Sequence, residues 1–206
     1  MNSNKRTDGR RVLAVGIDAA EPSLVRELIG RGQMPALRRL SEGGEWRRVA
    51  SPARVGSGAV WPTFFTGRSI GEHGVYGQWR WRPETMSLAL QDCRGLEPFW
   101  ATRAREGIRI GVMDIPFAPH AEPEGGFAVT EWGAHDVVEG HTLVSPAALQ
   151  ELVRKRPHPF SREHHNSAGP DDQHALGKLA ADCLEGAKMR GDLAVRLINE
   201  TRPDLA

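Results

Sequence analysis

The feature that most constrains the fold is a continuous apolar run, Val-Leu-Ala-Val-Gly-Ile at residues 12–17, which follows two arginines and ends on Asp18. A run without alternation is typical of a strand buried on both faces of a parallel sheet. In such sheets, ligands and reactive groups collect outside the carboxyl ends of the strands. The run therefore predicts a first strand over 12–17 and a candidate functional carboxylate at Asp18.

Helix-like and strand-like patterns alternate along the rest of the chain. Helices are predicted from Pro22 to about Gly30, from Pro35 to about Gly43, and over 96–105, 146–156 and about 172–201; strands are predicted over 46–50, 108–115 and 127–132. This order favours an α/β fold with a doubly wound, mostly parallel sheet and helices on both faces. We expect a disordered tail over 1–10 and a single domain over 11–206, with a cap-like insertion at about 137–172.

Composition limits the classes of partner. Lys and Arg number 27 against 26 Asp and Glu, which gives a formal charge of +1. A near-neutral chain has no overall attraction for nucleic-acid polymers or anionic membranes, so neither is expected as a partner. Cys93 and Cys183 stand far apart in sequence, which argues against a disulfide scaffold and favours a reduced, cytoplasmic location. No signal peptide or membrane span is expected.

A second candidate lies at Gly56-Ser57-Gly58, where a hydroxyl opens an apolar helix between two small residues. Glycines allow close approach of a substrate, and backbone N–H groups at a helix start favour an anion. A divalent metal held by Asp18 could activate the Ser57 hydroxyl as a nucleophile. Both residues have a plainer alternative, because either side chain could simply cap the helix that follows it.

These residues carry a resemblance to a known family. Gly-Ile-Asp-Ala-Ala-Glu-Pro at 16–22, Ser-Gly-Ala-Val-Trp-Pro-Thr-Phe-Phe-Thr-Gly at 57–67 and Gly-Glu-His-Gly at 71–74 stand in an order that resembles the N-terminal half of the alkaline phosphatase superfamily, in its type I phosphodiesterase and nucleotide pyrophosphatase branch. Further similar pieces are Pro-Phe-Trp at 98–100, Gly-Val-Met-Asp-Ile-Pro at 111–116 and Glu-Trp-Gly at 131–133. The resemblance spans roughly residues 11–136.

The resemblance implies a hydrolase of small-molecule phosphate esters with two divalent metal ions, usually zinc. Asp18 would bind one metal ion. Ser57, which stands nine residues before Thr66, would be both the nucleophile and a metal ligand, and would form a phosphoenzyme. The remaining ligands of the family, an Asp-x-x-x-His group, an Asp-His pair and a later His, are expected beyond residue 206. The chain is thus expected to be an N-terminal fragment that is inactive by itself.

Pro62 departs from a simple helix capped at Ser57, because it lacks an N–H group; the helix is expected to start later or to bend. Thr63 is then a rival nucleophile, although packing or capping is favoured for it. His73 is expected to be a structural hydrogen-bonding residue close to the site. The other histidines are expected to be solvated rather than metal ligands, and His135 and Asp136 form only an isolated pair; the solvated set is His164, His165 and His174.

The tryptophans have two alternative roles, stacking on a leaving group or packing in the core. The core is favoured for Trp79, Trp81, Trp100 and Trp132.

The main alternative to an enzyme is a non-catalytic α/β binding module that retains the fold. A dinucleotide-binding domain is disfavoured, since the first strand is not followed by Gly-x-Gly-x-x-Gly. A sulfatase is disfavoured because Ser57 is not in a Cys/Ser-x-Pro-x-Arg setting. The sequence leaves open the substrate, the preference for mono- or diesters, and the oligomeric state.

Overall fold

The computed structural model describes residues 10–133, 140–156 and 173–206, without the side chains of residues 174 and 175. The chain forms two compact units. The small unit is Ala14–Ser51, and the main unit comprises Pro52–Ala206 together with the described residues before Ala14. Nearly all of the predicted tail and most of the predicted insertion lie outside the described residues, as do His135, Asp136, His164 and His165.

The small unit contains two helices, α1 (Pro22–Gly30) and α2 (Pro35–Gly43), each with proline in its first turn. Proline is tolerated there because the first N–H groups of a helix have no partner within it. The guanidinium of Arg26 lies 5.2 Å from the centre of the Trp46 ring. The strand predicted over 46–50 is not present; these residues are exposed and irregular.

In the main unit, one 3₁₀ turn (Pro52–Arg54) precedes a second (Ser57–Ala59), which leads into α3 (Val60–Thr66) and then α4 (Ile70–His73). Both helices end on a glycine in the left-handed region, Gly67 and Gly74, where a residue with a side chain would be strained. Ser69 and Glu72 form a capping box at the start of α4, with the Ser69 N–H donating to the Glu72 carboxylate at 2.8 Å. The caps end α3 at Thr66 and start α4 at Ile70, so only a short connection separates the two helices.

Two small sheets follow. Strands β1 (Trp79–Arg82) and β2 (Ser87–Leu90) form an antiparallel hairpin. After α5 (Phe99–Arg105), strand β3 (Gly111–Met113) pairs in parallel with β4 (Phe127–Thr130), and β5 (Leu143–Ser145) pairs antiparallel with the other edge of β4. The chain ends with α6 (Gln150–Arg154) and the long helix α7 (Gln173–Thr201), followed by Leu205, which makes single parallel bridges to Val12 and Ile110.

The strand predicted over 12–17 is not formed as expected. Only Val12 makes a bridge, and the run is exposed rather than buried, with Val12 59% and Val15 72% accessible. Apolar residues form a buried strand only where neighbouring strands and helices cover them, and in the described structure a single residue, Leu205, pairs with the run. The α/β fold class is confirmed. The doubly wound arrangement stays a prediction, because the described three-stranded sheet has one parallel and one antiparallel pair.

Two apolar clusters stabilise the main unit. One surrounds Phe65, Trp100 and Ile110, and the other joins β4 to α7 through Phe127, Leu193 and Leu197. The core positions predicted for Trp100 and Trp132 are confirmed, since these residues are 4% and 8% exposed. The same prediction is wrong for Trp79 and Trp81, which are 56% and 53% exposed. Among the described helices, none has the length and apolar character needed to cross a membrane.

Candidate active site

Ser57 occupies an exposed position at the start of the 3₁₀ turn. Gly56, in an extended conformation, is the residue that precedes the helical backbone, and no side chain caps this turn. The capping alternative for Ser57 is therefore contradicted. Within the described part of the chain, the Ser57 hydroxyl forms no hydrogen bond, and the N–H groups of Ser57 and Gly58 donate to no backbone or side-chain acceptor. The hydroxyl and two backbone donors are thus available together to an external group.

The two glycines beside Ser57 are required by a crossing segment of backbone. A Cβ atom on Gly56 would lie 2.0 Å from the Tyr76 carbonyl oxygen, and one on Gly58 would lie 2.6 Å from the Gly77 Cα atom. Real Cβ atoms do not approach so closely, so any larger residue would push the segments apart. The two glycines therefore allow the Ser57 turn to pack closely against Tyr76 and Gly77. The sequence had suggested a different reason for them, close approach of a substrate.

Helix α3 begins at Val60, as the sequence predicted from Pro62. The proline is buried and stands third in the helix, within the first turn, where its missing N–H group would have had no helical acceptor. The 3₁₀ turn makes up the distance between Ser57 and Val60. Pro62 thus neither bends the helix interior nor excludes Ser57 from the position just before it.

Thr63 and His73 form a hydrogen-bonded pair whose proton positions can be assigned. His73 Nδ1 accepts from the Val75 N–H group at 3.1 Å, so the proton of the neutral ring lies on Nε2. Nε2 then donates to the Thr63 hydroxyl oxygen across 2.9 Å. Burial lowers the pKa of His73 and keeps the ring neutral at physiological pH. In this tautomer His73 cannot take a proton from Thr63, so it does not act as a base for the rival nucleophile.

Asp18 lies in an exposed turn of the small unit. The helix that follows is capped by another residue, Glu21, whose carboxylate accepts from the Leu24 N–H group at 2.7 Å. The capping alternative for Asp18 is therefore contradicted as well. Its carboxylate makes no hydrogen bond or ion pair with any residue that the structure describes, so it is available to a ligand.

Sequence reasoning missed a buried carboxylate at the end of β3. Asp114 follows the strand with a positive φ of 52°, and its two oxygens accept from the N–H groups of Trp132 and Gly133 at 2.8 and 3.0 Å. Arg190 of α7 lies 3.3 Å from the same carboxylate. Burial raises the pKa of Asp114, against the opposing effects of Arg190 and the two N–H groups. Asp114 ties the end of β4 to α7.

Two more polar residues, His120 and Glu131, lie near the ends of β4 and β5. Glu131 is buried with a φ of 57°, and its carboxylate accepts from the Gly140 N–H group at 2.8 Å. His120 lies between Thr130 and Ser145, with ring nitrogens 2.8 and 2.9 Å from their hydroxyl oxygens. A signal for Asp114 and Glu131 was present in the sequence. Each follows a largely apolar run, as Asp18 does. Their contacts show that they organise the loops at this edge of the sheet.

The candidate metal ligands fit a divalent cation in kind but not in number. Asp18 and Ser57 offer oxygen donors, whereas a catalytic zinc ion takes about three protein ligands. Within residues 10–133, 140–156 and 173–206, no group of three or more His, Cys, Asp or Glu side chains could hold a metal ion. The described residues therefore do not complete a metal centre by themselves.

Comparison with known proteins identifies a matching family. The family model for type I phosphodiesterase / nucleotide pyrophosphatase matches residues 12–195, a stretch that includes Asp18, Ser57 and His73. No curated protein and no solved structure matches the chain. Because the matched residues make up most of the sequence, the chain belongs to the type I phosphodiesterase / nucleotide pyrophosphatase family of the alkaline phosphatase superfamily.

Proposed function

We propose that this chain contributes Ser57 as the nucleophile and Asp18 as a metal ligand to a metal-dependent phosphoric ester hydrolase. The family indicates a hydrolase of the phosphodiesterase and pyrophosphatase type, which acts on small-molecule phosphate esters and generally depends on metal ions, zinc in this superfamily. The observation that carries the assignment to Ser57 is an exposed, unbonded hydroxyl beside two available backbone N–H groups on a turn fixed by close packing.

The proposed reaction at Ser57 is an in-line displacement. The hydroxyl oxygen forms a bond to phosphorus while the bond from phosphorus to the leaving oxygen breaks. The hydroxyl proton passes to solvent water, and the leaving oxygen departs with the electron pair and takes up a proton from water. The N–H groups of Ser57 and Gly58 are suited to donate to a non-bridging phosphoryl oxygen as its charge increases. Water then displaces the serine oxygen and releases phosphate or its monoester. Bound divalent ions, two by family resemblance, would lower the pKa of the attacking oxygens.

The proposal divides the site between this chain and sequence outside it. The Asp-x-x-x-His and Asp-His motifs expected for the family are not present in the 206 residues. We therefore propose that the remaining ligands come from further sequence of the gene product, and that the chain by itself is inactive. The two cysteines are free thiols, which supports the proposed cytoplasmic location.

The test compares hydrolysis of bis-p-nitrophenyl phosphate and p-nitrophenyl phosphate by the complete gene product with zinc supplied. Ser57→Ala is expected to lower kcat/KM by about a thousandfold or more, since covalent catalysis is removed. Ser87→Ala is the matched control, because this exposed serine hydroxyl hydrogen-bonds to Thr85 within the hairpin. Trapped phosphoenzyme, detected by intact mass, is expected in the control and not in Ser57→Ala.

Thr63→Val discriminates between the two hydroxyls. It removes the partner of His73, and the expected loss of activity is small compared with that of Ser57→Ala. The assignment to Ser57 is wrong if Thr63→Val abolishes hydrolysis while Ser57→Ala retains it.

The second candidate function is a non-catalytic α/β binding module. It is favoured by one observation, that the described residues include no three-ligand metal group. This candidate predicts that the complete gene product takes up no zinc in elemental analysis and hydrolyses neither ester. Stoichiometric zinc together with turnover would exclude it.

A further inference from the structure

The β1–β2 hairpin carries its apolar residues on one face. In the register of the hairpin, Trp79 lies opposite Leu90 and Trp81 lies opposite Leu88. Residues two apart on a strand point to the same side, and directly opposed residues share that side, so the four side chains form one surface. We call it the Trp-Leu face, defined by Trp79, Trp81, Leu88 and Leu90.

The Trp-Leu face is exposed to solvent. In a hairpin that packs on a protein, the apolar face is normally the buried one. Its members are 56%, 53%, 64% and 47% accessible, in the order just given. The opposite face carries Arg80, Arg82, Ser87 and Ala89, and of these Arg82 and Ala89 are the less exposed. The Arg82 Nε atom is fully buried. The opposite face is therefore partly covered at Arg82 and Ala89, whereas all four members of the Trp-Leu face are exposed.

We propose that the Trp-Leu face is a self-association surface that packs against the same face of a second copy of this chain. The area suits a dimer. Two half-exposed indoles leave about 250 Å², and Leu88, Leu90 and the 75% exposed Met86 of the connecting turn add about 200 Å². Two copies with a polar rim would bury about 1,000 Å², which reaches the lower limit for a biological interface and exceeds most crystal-packing contacts.

Charge also favours a second copy as the occupant. The chain has a formal charge of +1, so two copies repel each other little, and a low net charge promotes association. No charged residue belongs to the Trp-Leu face, whereas an anionic membrane surface would call for arginines on the same side as the indoles. The face is the open side of a two-stranded ribbon, and a small ligand would need a concave site. An exposed face of tryptophan and leucine is, by contrast, typical of a contact between proteins.

The experiment measures the mass of the chain by sedimentation equilibrium from nanomolar to high micromolar concentration. The wild-type chain is expected to dimerise, with a blue shift of tryptophan fluorescence as the exposed indoles become buried. Trp81→Arg places a charge in the centre of the face and is expected to raise the dissociation constant by at least about thirtyfold. Arg80→Ser, on the opposite face of the same strand, is the matched control and is expected to dimerise like the wild type.

A second variant keeps the test decisive if Trp81→Arg fails to fold. Leu88→Arg changes the residue opposite Trp81 and is expected to have the same effect; far-ultraviolet circular dichroism reports whether each variant keeps its fold. The proposal is overturned if the wild-type chain stays monomeric at every concentration, or if the folded arginine variants dimerise as tightly as the wild type. A monomeric wild-type chain that binds neutral phospholipid vesicles through this face would also overturn it, in favour of a lipid surface. Neither measurement depends on the proposed hydrolysis.

Discussion

Asp18 and Ser57 do not cap the helical segments that follow them, because another nearby residue occupies the capping position in each case. A capping side chain must accept from the backbone N–H groups of the next turn, and at α1 Glu21 already does so. At the 3₁₀ turn, Gly56 occupies the position before the helical backbone and leaves Ser57 inside it. Both candidate residues are therefore exposed groups without a structural contact in the described chain, as a ligand and a nucleophile should be before substrate and metal bind.

The two cysteines are expected to differ sharply in reactivity. Burial raises the pKa of Cys93 to about 11, with Asp92 adding to the effect, whereas Cys183 is exposed on α7. Because the thiolate is the reactive form, only about 0.1% of Cys93 is reactive at pH 8. A disulfide-exchange reagent such as Ellman's reagent is expected to titrate one thiol quickly in the native chain and the second only after denaturation. Two thiols of equal reactivity in the native chain would contradict the buried position of Cys93.

Among the elements, the close approach of β3 and β4 depends on glycine. A Cβ atom on Gly126 would lie 1.8 Å from the Ile110 carbonyl oxygen, which is itself bonded to the Phe127 N–H group at 2.9 Å. That oxygen belongs to backbone and cannot rotate away. Gly126→Ala is therefore expected to destabilise the chain by about 1–3 kcal/mol in urea-induced unfolding.

Gly191→Ala is the control for this variant. Gly191 lies inside α7 and has no neighbour within 4 Å of an added Cβ atom. Replacing glycine by alanine in a helix interior raises stability by about 0.5–1 kcal/mol, so the two variants are expected to change the unfolding midpoint in opposite directions. If both alanines stabilise the chain, the β3–β4 spacing is more adaptable than the structure indicates.

Local signals predicted the elements that have local causes. Proline at a helix start and glycine at its end marked α1 and α2, and the apolar run at 127–130 marked β4, because these effects act within a few residues. The hydrogen bonds of Asp114 and the crossing of Tyr76 over Gly56 join residues about 20 positions apart, which no local pattern encodes. The candidate site was accordingly predicted as two residues, while the contacts that position it were not.

At the scale of the whole molecule, the run at 12–17 shows how far a sequence pattern reaches. Its apolar character correctly indicates a propensity to pair, since Val12 does pair with Leu205. Whether the run is buried depends on which strands and helices lie beside it, and that is not a property of the run. The α/β class was therefore predictable from the order of patterns, and the arrangement of the sheet was not.

The contact between the two ends of the described chain predicts a pH dependence of stability. Arg109 donates to the Asp204 carboxylate through its backbone N–H, Nε and Nη2 groups at 2.9–3.1 Å, and Asp204 and Val12 are joined by a backbone bond of 2.9 Å. The hydrogen bonds from Arg109 lower the pKa of Asp204. The carboxylate thus stabilises the fold above its unfolded-state pKa of about 3.9, and this stabilisation is lost as the pH falls through the lower folded-state pKa.

Asp204→Asn is therefore expected to lower the free energy of unfolding by about 1 kcal/mol at neutral pH, a value that allows for the partial exposure of the pair. The difference from the wild type should shrink as the pH falls from about 4 through the lower folded-state pKa of Asp204, below which the wild-type carboxylate is protonated too. Urea unfolding at a series of pH values measures it. Asp92→Asn is the control, since Asp92 forms its salt bridge with Arg94, only two residues away in sequence. A difference between Asp204→Asn and the wild type that stays constant down to the lowest pH would show that the contact acts through shape rather than charge.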